Sequence, residues 1–323
     1  MESNGLRGRL DTSADAITRA APAVLRVTAG LLWLSNVSWK VPPGFGETAD
    51  GCGGLCAFVQ AGVDHPVAPV YPWVLETLIL PNLAVFGWAV LLTEFLLAAL
   101  LLSGTLTRIA AVVGFAQSIA IGLSVANAPG EWYWSYGLMA ALHLAVFATA
   151  AGWRPALDAR RRALVAGVVA GYGLIVIIAN VKNLAGPDLT GDWVLFGGAT
   201  GFPGDFGRNV FAGSVVLGIV LVLLAAAVWL TAGRPAARLV GPASALVGLV
   251  LLVAYHDGGN LLAAKPSSAA VFFAAGLFLL AAPAALGARS VDPRNPADGD
   301  ADVGTRSGHA RARKSDRRTS EPD

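Results

Sequence analysis

Long apolar stretches constrain this chain more than any other feature of its sequence. A helix needs roughly 20 mostly apolar residues to cross the hydrocarbon core of a bilayer. Of the 323 residues, 55% are hydrophobic and 14% are charged, and the mean hydropathy is +0.61. These values exclude an ordinary soluble domain and predict an all-α transmembrane fold with about eight helices. The predicted spans lie near 21–40, 83–103, 109–126, 132–150, 163–181, 212–231, 239–255 and 268–287.

The distribution of Lys and Arg predicts the orientation of these spans, because cytoplasmic loops carry an excess of basic residues. With the N-terminus inside, the cytoplasmic segments contain Arg7, Arg9, Arg19, Arg108, Arg154, Arg160, Arg161, Arg162, Arg234, Arg238 and Arg289. The opposite loops keep Lys40, Lys182, Arg208 and Lys265. We therefore predict a multi-pass plasma-membrane protein with both termini in the cytoplasm. We also expect the first span to be retained, since no cleavage pattern of a signal peptide follows it.

Composition divides the chain into four segments. A cytoplasmic segment over 1–20 precedes a first membrane region over 21–160, whose long Gly- and Pro-rich outer loop covers 41–82. A second membrane region follows over 161–289. Residues 290–323 are rich in Asp, Arg, Pro, Ser and Gly, which predicts a disordered cytoplasmic tail. The basic cluster of this tail either binds anionic lipid headgroups or is a solvated end that reinforces the orientation.

The two membrane regions begin alike. Each opens with a span that ends in a related phrase, Asn36-Val37-Ser38-Trp39-Lys40 in the first and Asn180-Val181-Lys182-Asn183 in the second, and that precedes a long outer loop. Two parallel four-helix halves would produce this pattern. Short connections elsewhere in the chain could also produce it by accident.

A carboxyl group at membrane depth is the main candidate for chemistry. Glu94 lies about 11 residues into its predicted span, or ~16 Å down at about 1.5 Å per residue. His143 lies at a similar depth in a parallel span, and Gln117 is near the middle of the span between them. A buried carboxyl and imidazole in one layer would suit a proton relay or a quinone headgroup site. The alternative is a neutral hydrogen bond between helices that only stabilises the fold.

Other charged residues lie near the two membrane faces. Arg26 either extends to the cytoplasmic interface or reaches towards Glu94. At the outer face, Lys40 ends the first span and Glu131 opens the fourth, so we predict that these two residues contact each other beside an access site for substrate. The aromatic residues of that face that would contribute to it are Trp132, Trp134 and Tyr136. An interfacial aromatic belt would also explain the tryptophans and tyrosines.

Cys52 and Cys56 are the only two cysteines, and the predicted topology places them on the oxidising side of the membrane. A disulfide is the default there. Their spacing is not that of a thioredoxin-type motif, which favours a structural bond over an exchange centre.

Motifs for resident cofactors are missing from the sequence. It has no phosphate-binding loop, no dinucleotide or flavin fingerprint and no metal motif with usable spacing. We therefore expect no metal and no nucleic-acid partner. Any redox cofactor would be a diffusible quinone or would belong to a partner protein.

Three motifs in the first membrane region resemble the DoxX/DoxD family, which includes the small subunit of thiosulfate:quinone oxidoreductase. They are Arg26–Trp33 followed by Lys40, then Glu94 with Leu100–Arg108, and finally Glu131–Tyr136 running to Gly152–Asp158. The resemblance covers residues 26–158 and implies a four-helix bundle in which Arg26, Arg108 and Asp158 are structural. It also implies the membrane subunit of a redox complex that passes electrons from a sulfur compound to quinone. It does not explain the four later helices.

These observations leave three hypotheses for the function. The first is a quinone-linked oxidoreductase subunit in which Glu94 and His143 handle protons. The second is a transporter or ion-coupled carrier, because acidic residues at midplane and repeated halves also occur in carriers. The third is a membrane scaffold that recruits the proteins of a redox or stress complex.

Overall fold

The structure is a computed structural model that describes residues 2–49, 51–150, 159–180, 210–211, 213–256 and 261–287. Asp158, the greater part of the second outer loop and the tail over 290–323 lie outside the described residues. The described part is mostly helical. Its helices are α1 Glu2–Ser38, α2 Gly54–Asp64, α3 Val70–Val74, α4 Leu83–Ser103, α5 Thr107–Val125, α6 Tyr133–Thr149, α7 Ala159–Asn180, α8 Val215–Thr231, α9 Ala237–His256 and α10 Pro266–Gly287.

The apolar stretches of the sequence are helical. Each predicted span corresponds to one of the helices α1 and α4 to α10, and the bounds agree within a few residues except at the start of α1, which begins at Glu2. In the described part of the chain, five helical segments are long and apolar enough to cross a membrane: Thr18–Ser38, Val70–Ser103, Thr107–Val125, Ala159–Asn180 and Ala237–Tyr255. Val215–Thr231 and Pro266–Ala281 are shorter apolar helices. A bilayer is the environment in which these helices can be stable with so many large apolar side chains on their outer surface.

Helices α1, α4, α5 and α6 form a ring in which each helix contacts the next and α6 returns to α1. The most extensive contacts join α1 to α4 and α5 to α6. Gly104, in the left-handed conformation with φ of 76°, ends α4 and turns the chain towards α5. The guanidinium of Arg26 on α1 lies against this turn and donates to the carbonyl oxygens of Leu101 and Leu102 at the end of α4.

The second membrane region repeats this order of contacts. Helix α7 packs extensively on α8, and α9 packs extensively on α10, with smaller contacts between α8 and α9 and between α7 and α10. Gly173 and Gly218 face each other across α7 and α8, since a Cβ atom on either one would lie within 3.0 Å of the other's carbonyl oxygen. Such close approach of backbones is typical of helix pairs in membranes. Helix α10 also packs on α4, where Phe273 contacts Phe95.

The described residues of the long loop over 41–82 lie over one end of the α1–α4–α5–α6 ring. The loop contains a hairpin of two short strands, Glu47–Thr48 and Gly51–Cys52, in which Glu47 pairs with Cys52. Helix α2 follows the hairpin. Helix α3, a π-helical turn over Leu75–Ile79 and a 3-10 turn over Leu80–Asn82 then lead directly into α4. Cys52 and Cys56 form a disulfide that joins the hairpin to the first turn of α2. Phe45 is buried against Gly87 and Trp88 of α4, which anchors the loop to the bundle.

Candidate functional site

A buried ion pair lies between α1 and α4. The ammonium nitrogen Nζ of Lys40 is 2.7 Å from Oε2 of Glu94, and the two side chains are 2% and 0% exposed. Isolated buried charges are strongly unfavourable, so each of these groups depends on the other for its burial. The pair therefore identifies a candidate functional site in the first membrane region.

Lys40 reaches this position because its side chain folds back along the last turn of α1. Its Nζ donates to the carbonyl oxygen of Asn36 at 2.8 Å and lies 3.8 Å from the centre of the Trp39 ring. Both contacts favour a cation, because the carbonyl end of a helix is partially negative and an aromatic face attracts positive charge. Together with Glu94, these contacts occupy three sides of the ammonium group.

Glu94 is less completely satisfied than Lys40. Its carboxylate oxygen Oε1 is buried and has no hydrogen-bond partner among the residues that the structure describes. Buried carboxylate oxygens in proteins nearly always have a partner, and a missing one points to a bound molecule or water. Phe86, Val90 and Glu94 recur at four-residue intervals, so they share the face of α4 that lines a cavity.

The cavity has a volume of about 120 Å³. It is lined by Asn36, Trp39, Lys40, Leu55, Phe58, Val59, Phe86, Val90, Glu94, Gln117, Ala120, Ile121, Ser124, Val125 and Tyr136. For comparison, an apolar cavity of about 150 Å³ holds one benzene molecule. The site is therefore of the size of a few water molecules and slightly smaller than a cavity that holds one aromatic ring.

Two further polar side chains of the cavity wall are unpaired. The amide of Gln117 on α5 and the hydroxyl of Tyr136 on α6 make no hydrogen bond to any described residue. Each of these groups can both donate and accept. The cavity thus offers a hydrogen-bond acceptor at Glu94 Oε1 and two groups, Gln117 and Tyr136, that can either donate or accept a hydrogen bond.

Helix α2 of the loop over 41–82 closes one side of the cavity with Leu55, Phe58 and Val59. Phe58 contacts the ring of Trp39, with 5.1 Å between the ring centres. Helix α3 contacts the cavity wall as well, because Tyr71 Oη and Ser124 Oγ are within hydrogen-bond distance at 3.0 Å. The disulfide at the first turn of α2 therefore fixes a helix that is part of the cavity wall.

The sequence predicted Glu94 and His143 in one site, but His143 does not line the cavity beside Glu94. It is fully buried, and its Nε2 accepts a hydrogen bond from Trp33 Nε1 at 2.8 Å. Its Nδ1 is 2.7 Å from the carbonyl oxygen of Met139 and donates to it in the matching tautomer. Both ring nitrogens of His143 are thus occupied, and the imidazole connects α6 to α1 as a neutral structural bridge.

The predicted contact between Lys40 and Glu131 is wrong, because Lys40 pairs with Glu94 instead. Glu131 lies in the turn before α6, where its backbone N–H donates to the carbonyl oxygen of Ala128. Partial burial raises the pKa of the Glu131 carboxyl, and a hydrogen bond from the backbone of Trp132 opposes this shift. The Lys40 side chain turns towards the bundle interior because Asn36, Trp39 and Glu94 all lie on that side.

The remaining predicted residues divide between the cavity and the surface. Gln117 and Tyr136 line the cavity. Trp132 and Trp134 do not line it; their rings stack on each other and are 51% and 52% exposed. Arg108 is exposed at the start of α5, with its guanidinium over the ring of Phe147. Arg26 contacts the end of α4 and not Glu94.

Three contributors to the site had no assigned role in the sequence-based interpretation: Asn36, Trp39 and Ser124. The signal that could have identified the ion pair is the presence of an acid and a base on two consecutive spans, with Glu94 inside one and Lys40 at the end of the other. A membrane-buried carboxylate needs a counter-charge, and a lysine side chain is long enough to reach one several ångströms below its own Cα atom.

A metal centre has no support in the described part of the chain, where no three His, Cys, Asp or Glu side chains cluster. The chemistry that the site can perform is binding of a small molecule through hydrogen bonds, with proton exchange at Glu94. The described residues of the DoxX-like motifs lie on or directly beside α1, α4, α5 and α6 and contribute Lys40, Glu94 and Tyr136 to the cavity wall. Membership of that family stays a prediction. Compared with family models, curated proteins and solved structures, the chain matches none of them.

Proposed function

We propose that this protein is a DoxX/DoxD-like membrane subunit of a redox system that oxidises a sulfur compound such as thiosulfate and transfers the electrons to quinone. The observation that carries the proposal is the cavity beside the Lys40–Glu94 pair, in which Glu94 Oε1, Gln117 and Tyr136 have unused hydrogen-bonding capacity. A partner protein oxidises the sulfur compound and supplies the electrons.

The cavity residues fit the headgroup of a quinone. A bound quinone would supply the ring that accepts two electrons and two protons. Gln117 and Tyr136 donate hydrogen bonds to an oxygen atom of the ring, and Glu94 holds or releases a proton at Oε1. The apolar side chains of Phe58, Phe86 and Val90 face a ring and exclude water from it.

The proposal includes a topology. Eight helices cross the plasma membrane, both termini are cytoplasmic, and the loop that carries α2 is outside. Support comes from the concentration of Arg in alternate connections and from the five helices whose length and composition suit a bilayer. The cavity then lies towards the outer side of the membrane, under α2.

Glu94→Gln tests the role of the carboxyl group in quinone reduction. We expect membranes with this variant to transfer electrons from thiosulfate to a soluble quinone at least about tenfold more slowly than the parent, because a positioned proton-transfer group contributes about 10²- to 10⁴-fold. The matched control is Glu76→Gln, which removes an exposed carboxylate from the loop before α4 and leaves the rate unchanged. A parental rate in correctly folded Glu94→Gln rules out this role for Glu94.

A second candidate function is transport without redox chemistry. The observation in its favour is that the order of helix contacts in the first membrane region recurs in the second, as expected of a carrier built from two parallel repeats. If the protein is a carrier, purified protein in liposomes takes up labelled thiosulfate with no electron acceptor present. Uptake equal to that of protein-free liposomes contradicts this candidate for thiosulfate.

A further inference from the structure

The charge balance of the cavity indicates which ligands it accepts. Lys40 is the basic residue of the cavity wall, and its ammonium group already contacts Glu94, Asn36 and Trp39. The group that remains available is Glu94 Oε1, which carries partial negative charge and accepts hydrogen bonds. An anion in the cavity would meet this oxygen and find the positive charge already neutralised.

We propose that the cavity recognises a neutral ring that carries a hydroxyl group, in preference to the same ring without a donor and in preference to inorganic sulfur anions. The hydroxyl donates to Glu94 Oε1. Gln117 and Tyr136 bind a second polar atom of the ligand, and Phe58, Phe86 and Ile121 contact its apolar faces.

The size of the site agrees with this ligand class. A volume of about 120 Å³ is slightly smaller than the cavity of about 150 Å³ that holds benzene, so one six-membered ring is the upper limit for the buried part of the ligand. A phenol-type ring places a donor at its edge and leaves two apolar faces. Glu94 and the aromatic residues of the wall provide the matching groups.

This inference rests on the proposed function and adds to it a preference of the site for the reduced form of the quinone. A quinone presents only acceptors, whereas the reduced ring presents hydroxyl groups, so Glu94 Oε1 binds the reduced form more tightly than the oxidised form. Tighter binding of the reduced form makes the bound quinone easier to reduce. Thiosulfate, which is doubly negative, is oxidised elsewhere and does not enter this cavity.

Binding of simple probes to the purified full-length protein in detergent tests the proposal. Phenol carries the donor, anisole is the same ring with the donor methylated, and thiosulfate is the anion. Because a hydrogen bond to a charged group is the stronger kind, we expect titration calorimetry to give at least about tenfold tighter binding for phenol than for anisole. Thiosulfate should not compete with phenol.

Two kinds of variant separate the ligand contact from effects on folding. The double variant Lys40→Met with Glu94→Leu removes both charges together, and it should bind phenol and anisole equally. Tyr136→Phe keeps the ion pair and removes a contact to the second polar atom of the ligand, so it should weaken the binding of hydroquinone several-fold and leave that of phenol unchanged. Tyr133→Phe is the control, since Tyr133 is exposed and does not line the cavity; it should bind hydroquinone as the parent does.

The outcomes are distinguishable from those of the electron-transfer experiment. Equal affinity of the parent for phenol and anisole, or displacement of phenol by thiosulfate, overturns the proposal even if quinone reduction is observed. Conversely, a strong preference for phenol that disappears in the double variant supports it even if no quinone is reduced, in which case the proposed redox function fails and the ligand class stands.

Discussion

Lys40→Met is expected to lower the free energy of unfolding by about 3–5 kcal/mol, because it leaves the Glu94 carboxylate buried without its counter-charge. Methionine has nearly the length of the lysine side chain and fills the same space without a charge. Thermal or chemical denaturation in a mild detergent measures the change. We expect this to be the largest stability effect of any single substitution at the cavity.

The double variant Lys40→Met with Glu94→Leu is the decisive control for that prediction. Replacement of both members of a buried ion pair by apolar residues is often neutral or stabilising. The double variant should therefore recover most of the stability lost in Lys40→Met. If the double variant is as unstable as the sum of its single substitutions, the pair is not the coupled unit that the 2.7 Å contact indicates.

Gly114→Ala is expected to destabilise the protein by about 1–3 kcal/mol, the usual range for an overpacked core. A Cβ atom at Gly114 on α5 would lie 2.2 Å from Nε2 of His143. The imidazole cannot move aside easily, because hydrogen bonds to Trp33 and Met139 hold both of its nitrogens. Denaturation under the same conditions measures the loss.

The matched control is Gly137→Ala on α6, where a Cβ atom would have nothing within 4 Å. Alanine is the better helix former by about 0.5–1 kcal/mol, so this variant should be as stable as the parent or slightly more stable. Equal stability of Gly114→Ala and Gly137→Ala would contradict the close approach of α5 to the His143 ring.

The helices themselves were predictable from the sequence. The span predicted at 83–103 corresponds to α4 at Leu83–Ser103, and the other spans differ from their helices by a few residues at each end. The exception is α1, which begins at Glu2 although its apolar stretch begins near residue 21. Polar residues can extend a helix beyond the membrane, and hydropathy does not detect such an extension.

The composition of the cavity was predictable in part. Glu94, Lys40, Gln117 and Tyr136 were candidates because polar groups within or beside apolar spans are rare and usually functional. Their partners were not predictable. The sequence suggested Glu94 with His143 and Lys40 with Glu131, whereas the structure pairs Lys40 with Glu94 and His143 with Trp33.

The sequence by itself determined that the chain forms apolar helices and where along each helix the polar side chains lie. Solvation by hydrocarbon acts on every segment separately, so this information is local. Only the tertiary structure decided which polar groups meet, because that depends on the rotation of each helix about its axis and on the direction in which a long side chain folds. Lys40 turns inward along the last turn of α1, and Gly114 leaves the space in which the ring of His143 reaches Trp33.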